Sequence, residues 1–164
     1  MKYQDFRQNI KSGDLLAFSH GDWKSWNGIK VNFVRIFTRS TYSHVGIAWV
    51  TSGRVFVLEA VKPKLRIFPL SLYGDFYHIG MDIDFTPEVQ EFALSKIGIN
   101  YSEYTAIKAY FNPLPEGTVS ECAAYTREVF LKAGIKLGEL ARPDEVVLSA
   151  LDLNKQLIYI EATE

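Results

Sequence analysis

His44-Val45-Gly46-Ile47-Ala48-Trp49-Val50-Thr51-Ser52-Gly53-Arg54-Val55-Phe56-Val57-Leu58-Glu59-Ala60-Val61 is the stretch on which the reading of the fold turns. Two β-rich runs, His44 to Val50 and Arg54 to Val61, flank Ser52-Gly53, a pair suited to a two-residue hairpin loop. Such a loop pairs Thr51 with Arg54, and the register then sets Glu59 opposite Gly46 and Val61 opposite His44. Side chains alternate across a strand, so His44, Gly46 and Ala48 share one face, and Val45, Ile47 and Trp49 the other. Glu59 joins the His44 face. That face has little bulk, and small side chains let a helix approach closely, so it is the expected docking face for a helix.

The helix expected there runs between Ser120, a favoured N-cap type, and Gly134, a favoured residue just past a helix end. Cys122, the chain's one cysteine, falls in its first turn. At about 100° per residue, Cys122, Tyr125, Thr126, Val129 and Ala133 share a face, with Glu121, Glu128 and Lys132 roughly opposite. A helix N-terminus carries partial positive charge and unpaired N–H donors, which favour a thiolate and can hold a developing oxyanion. A nucleophile fits this position, and so does an inert, buried cysteine acting as a small hydrophobe.

Working outward, Tyr3, Phe6 and Ile10 recur at helical spacing, and Asp14 to Phe18 reads as a buried strand. His20 to Gly28 reads as a loop with Trp23 and Trp26 as rim residues, Ile29 to Phe37 as a helix, and Ser40 to Ser43 as a turn. Leu65 to Phe68 and Phe76 to Ile83 are further strand-like pieces. Thr86, Pro87 and Gly98 frame a helix carrying Val89, Phe92, Ala93 and Ile97 on one face. Ser102 to Phe111 reads as another helix, stopped by the Asn112 to Gly117 loop beside Cys122. Arg142-Pro143-Asp144-Glu145 starts one or two more helical turns, and Leu157 to Ile160 closes the chain as a strand. The pattern predicts an α+β domain spanning residues 1–164, with an antiparallel sheet of five or six strands packed against helices.

Composition narrows the function. The chain has 164 residues, 48% hydrophobic and 23% charged, which suits one globular domain. A formal net charge of -1 supplies no basic field for nucleic acid. Met1-Lys2-Tyr3-Gln4-Asp5 opens without the apolar core of a signal peptide, and no run is long enough to span a membrane, so synthesis as a soluble cytoplasmic protein is expected. One cysteine excludes an intrachain disulfide and a cysteine-rich zinc site. His20, His44 and His78 lack ligand spacing such as His-Glu-x-x-His, so no metal or other cofactor is expected.

An imidazole beside a thiol can take its proton and form the pair that attacks a carbonyl carbon. Glu59 lies among Val57, Leu58, Ala60 and Val61, an apolar setting in which a carboxylate needs a partner. Diagonal to His44 on the same face, it could orient the ring as the acid of a triad does. His44 as a plain strand-end histidine is the competing reading. For Glu59 the competitor is an odd-length loop that turns it to a surface partner.

Gly13-Asp14-Leu15-Leu16, Ser43-His44-Val45-Gly46-Ile47, Leu58-Glu59-Ala60, and Cys122 followed by Tyr125 and Val129-Phe130 occur in that order. Together they resemble the circularly permuted, papain-like NlpC/P60 hydrolases, the group that includes the YiiX-like and YaeF-like proteins. The resemblance runs from about Gly13 to Val147. Ile97 to Tyr104 resembles the family's Leu-Gly-x-x-Tyr segment, and Arg142-Pro143-Asp144-Glu145-Val146 its late Pro-Asp turn. It implies Cys122 as nucleophile, His44 as general base and Glu59 as orienting acid, with Tyr101 or Tyr104 supplying a hydroxyl near the oxyanion. The family usually carries Cys-Ser-Glu at the nucleophile, where this chain has Cys122-Ala123-Ala124.

The resemblance implies a bacterial or phage cysteine hydrolase, a thiol protease or amidase cleaving an amide bond through an acyl-thioester, with peptides or peptidoglycan fragments as the first substrate class. Without a secretion signal, reaching a cell wall would require lysis, a delivery system or packaging in a virion. Related groups act on lipid acyl groups, so acyl transfer or thioester hydrolysis of an acylated small substrate is a second reading. Trp23, Trp26, Tyr42 and Phe111 would suit an acyl chain as well as they suit a core. A binding module that lost catalysis is a third reading, against which the retention of Cys122, His44 and Glu59 argues. Oligomeric state is not legible.

Overall fold

In the computed structural model, the structure describes residues 1–19, 42–100 and 121–162. The expected helices over 29–37 and 102–111, the loops over 20–28 and 112–117, and the Ser120 cap lie outside the described residues. So do Trp23, Trp26, Tyr101, Tyr104 and Phe111. Among the described residues the strands are β1 (Leu15–Phe18), β2 (His44–Thr51), β3 (Arg54–Val61), β4 (Lys64–Pro69), β5 (Phe76–Ile79) and β6 (Leu157–Ile160). The helices are α1 (Tyr3–Phe6), α2 (Pro87–Ser95), α3 (Glu121–Lys132) and α4 (Pro143–Asp152). The strands form one antiparallel sheet in the order β4-β3-β2-β1-β5-β6, so the architecture is α+β.

The hairpin is as the sequence reads. Ser52 and Gly53 both have positive φ, 48° and 70°, as a type I′ turn requires, and Thr51 pairs with Arg54 and Ile47 with Leu58. The second β-like piece after Pro63 is shorter than expected: β5 stops at Ile79 rather than Ile83. The helix opened by Arg142 is longer than one or two turns, because Pro143 fills its first position and Val146, Val147 and Ala150 bury its inner face. Around α2, Thr86 Oγ1 accepts from the Val89 N–H at 3.3 Å with Pro87 next in line, so the expected cap and start are both present.

The docking face differs from expectation. Leu15, Ala17, Val45, Ile47, Leu58 and Ala60 form one core with Cys122, Ala123, Ala124, Tyr125, Val129 and Phe130 of α3. Leu16, Phe18, Ala48, Val55 and Val57 point the other way and are covered by Tyr3, Phe6, Ile10 and Leu70. The helix therefore packs on the Val45–Ile47 face, not on the Gly46–Ala48 face. Bulky strand residues bury more apolar area, and the small residues that permit close approach are Ala123 and Ala124, on the helix. Gly46 is small for another reason: a Cβ there would lie 2.5 Å from Val57 Cγ1 and 3.1 Å from the Leu58 carbonyl oxygen.

Helix α3 is also buried over more of its circumference than one amphipathic stripe implies. Glu121, expected opposite the apolar face, is buried with Cys122 to Thr126. Fully buried Tyr125 donates its hydroxyl hydrogen to the Ala93 carbonyl at 2.9 Å, satisfying an acceptor in the last turn of α2. Tyr125→Phe should leave that carbonyl unpaired and lower unfolding stability by about 1 kcal/mol. Urea unfolding checks this: a shifted midpoint with an unchanged slope is expected, and an unchanged midpoint would deny the bond any role.

Candidate active site

Antiparallel pairing of β3 with β4 sets Arg66 directly opposite Glu59. Glu59 is wholly buried, an expensive place for a carboxylate unless its oxygens are occupied. They are occupied: Arg66 Nε donates to Oε1 at 2.8 Å, the Tyr73 hydroxyl donates to Oε2 at 2.5 Å, and His44 Nε2 lies 2.6 Å from Oε2. Burial alone would raise the Glu59 pKa. The hydrogen bond and charge of His44, with the Tyr73 and Arg66 bonds, outweigh it and hold the carboxyl below its ordinary value. Tyr73 is held by rings of Phe18 and Phe68, at centroid distances of 4.3 and 5.3 Å.

His44 is the first residue of β2 and packs beside the Phe18 ring at 5.5 Å. By alternation it belongs to the face turned away from α3, yet its side chain hydrogen-bonds that of Cys122. The two meet because each begins its element: the imidazole stands at the end of the sheet and the thiol in the first turn of the helix. With Nε2 committed to Glu59, Nδ1 is the nitrogen left for sulfur. Burial would lower the His44 pKa, but the charge and hydrogen bond of Cys122, followed by those of Glu59, raise it to about 10. The coupling is reciprocal, so an imidazolium beside Cys122 favours a thiolate. Sulfur, imidazole and carboxylate thus form one continuous series.

Among the other candidates, Tyr42 is half-buried and set edge-on to Tyr77 at 5.4 Å, packed against the core that contains Cys122. Arg66 and Tyr73 escaped the sequence reading. The signal for Arg66 was available, since counting two residues outward from the Val61–Lys64 pair brings Glu59 to Arg66. Tyr73 arrives from a 3-10 turn, Leu70–Leu72, whose register no strand pattern gives. Beside the thiol, Glu121 has its pKa raised to about 7 by burial, with Lys62 pulling the other way. The Gly13-Asp14 motif has a structural use: Asp14 accepts from the Lys11 and Met81 N–H groups and lies 2.8 Å from His78 Nε2. Among the described residues, no group of three His, Cys, Asp or Glu side chains could hold a metal ion, and no helix is long and apolar enough to cross a membrane.

No family model matches the sequence, and no curated protein does. Solved structures do match. The crystal structure of the metalloprotein YiiX from Escherichia coli O157:H7, DUF1105, aligns with a TM-score of 0.54 and 19% identity, over 79% of this chain and 69% of that one. The chain is similar to YiiX in fold. At that identity the likeness concerns architecture alone, and the description as a metalloprotein belongs to YiiX.

The His44 shift has a consequence for stability. An ordinary histidine loses its proton near pH 6.5, whereas folded His44 keeps it to about 10. A raised folded-state pKa gives stabilisation that is fully present below about pH 6.5 and lost as pH rises through about 10. The stability gap between wild type and His44→Gln should therefore be widest near pH 6 and narrow steadily towards pH 10 in urea titrations. A gap that widens with pH would show that folded His44 is neutral.

Proposed function

We propose that this chain is a permuted papain-like cysteine hydrolase that cleaves an amide bond through an acyl-thioester, with cell-wall peptides as its substrate class. The observation that carries the reading is the series from the Cys122 thiol through His44 to buried Glu59, with the thiol in the first turn of a helix. Cys122 Sγ attacks the carbonyl carbon, forming the S–C bond, while the Cys122 N–H at the helix start stabilises the oxyanion. The C–N bond then breaks, and His44 gives its proton to the leaving amine. His44 next takes a proton from water, which attacks the thioester and releases the acid and the thiol. Glu59 fixes the ring and stabilises its charged form, and Arg66 and Tyr73 fix Glu59.

No step is routed through a metal, since the two Glu59 oxygens already face three partners and His44 Nε2 is one of them.

Cys122→Ala should abolish release of amines from peptidoglycan fragments with little effect on folding. Cleavage at the native rate would mean another nucleophile acts. If acyl esters are turned over and peptide fragments are not, the amide reading fails and the acyl-group reading replaces it.

The acid is best tested through its supports. Glu59→Gln would set an NH2 group against one of the converging partners, so some loss of stability accompanies it, whereas Tyr73→Phe removes one donor with nearly the same shape. We expect Glu59→Gln to cut kcat by roughly 100-fold or more with a smaller change in KM, and Tyr73→Phe to cut it less. Alkylation of Cys122 below pH 7 should slow in the same order. Unchanged rates in both variants would remove Glu59 from the assignment.

A further inference from the structure

At the other end of the β2–β3 hairpin lies a cavity of about 180 Å³ that the proposed reaction does not use. Arg54, the first residue after the Ser52-Gly53 turn, and Arg7, just after α1, both line it, together with Ser71, Tyr3 and Phe56. Five residues of extended strand separate Arg54 from Glu59, about 17 Å at strand rise, so this cleft is distinct from the Cys122 site.

The charge in the cleft is unbalanced. Among the described residues no carboxylate lines it, and neither Arg7 nor Arg54 has an ion-pair partner. Two like charges lining one concavity repel, and an anion bound by both offsets that repulsion. Guanidinium groups present paired N–H donors that match two oxygens of one anion. Inorganic phosphate or a phosphomonoester has three or four terminal oxygens, enough for one fork from each arginine and a bond from the Ser71 hydroxyl. A dianion also balances the two charges. A single exposed pair is weak, so both arginines have to act together.

We propose that the Arg7–Arg54 cleft is a binding site for a phosphate group. The group can come from a soluble phosphate or from a lipid headgroup, and the two sources separate by experiment. Titration calorimetry with inorganic phosphate at low salt tests the first. Co-sedimentation with phosphatidylcholine vesicles containing phosphatidic acid, against vesicles without it, tests the second. We expect at least one probe to bind, inorganic phosphate with a dissociation constant on the order of 1 mM or tighter if the source is soluble. Arg7→Gln and Arg54→Gln should each weaken that binding about fivefold or more, the double variant should abolish it, and added salt should weaken it in wild type. The alkylation rate of Cys122, remote from the cleft, should stay at the wild-type value in all three variants, which shows that they fold. Binding of neither probe, binding that survives the double substitution, or a loss confined to one arginine would overturn the proposal.

Discussion

A carboxylate with no exposure to water, at Glu59, is the constraint around which the molecule is arranged. Removing a charge from water costs several kcal/mol, and the cost is met only when each oxygen finds a donor in good geometry. Arg66, Tyr73 and His44 do this from three separate elements: β4, the turn after it, and the start of β2. Such a network adds modestly to stability when whole and is expensive to break. It therefore fixes geometry more than it adds strength, holding the β3–β4 register, the Tyr73 ring and one nitrogen of His44 together.

The sheet divides this network from the thiol. Glu59, Arg66 and Tyr73 belong to the face covered by Tyr3, Phe6 and Leu70, while Cys122 belongs to the core between the sheet and α3. Only a residue at the end of a strand can reach both sides, and His44 has that position in β2. The imidazole thereby carries the influence of a carboxylate on one face to a sulfur on the other.

The parts of the fold governed by local chemistry were legible. Ser52-Gly53 specified the hairpin and its register, Thr86-Pro87 the start of α2, and the burial of Glu59 followed from the apolar residues around it. The choice of docking face was not legible. Gly46 and Ala48 look like a seat for a helix, but the smallness of Gly46 answers to Val57 crossing it, a contact between strands. Period alone also misplaced Glu121, because a helix wedged between a sheet and other helices is buried on more than one stripe. Tyr73 was hidden because a 3-10 turn, with no repeating pattern, sets its direction.

The ordering of these residues along the chain bears on how the molecule assembles. His44, Glu59, Arg66 and Tyr73 all fall in the meander of β2, β3 and β4 and the turn after it, whereas Cys122 comes from a distant helix. Closing short loops costs less chain entropy than closing long ones, and local contacts form faster. The imidazole–carboxylate half of the network can thus be built early, on a hairpin that needs only its neighbours, and the sulfur reaches it when α3 docks. A partly folded chain would hold the imidazole without the thiol beside it, so the thiolate-favouring pair arises only with the finished fold.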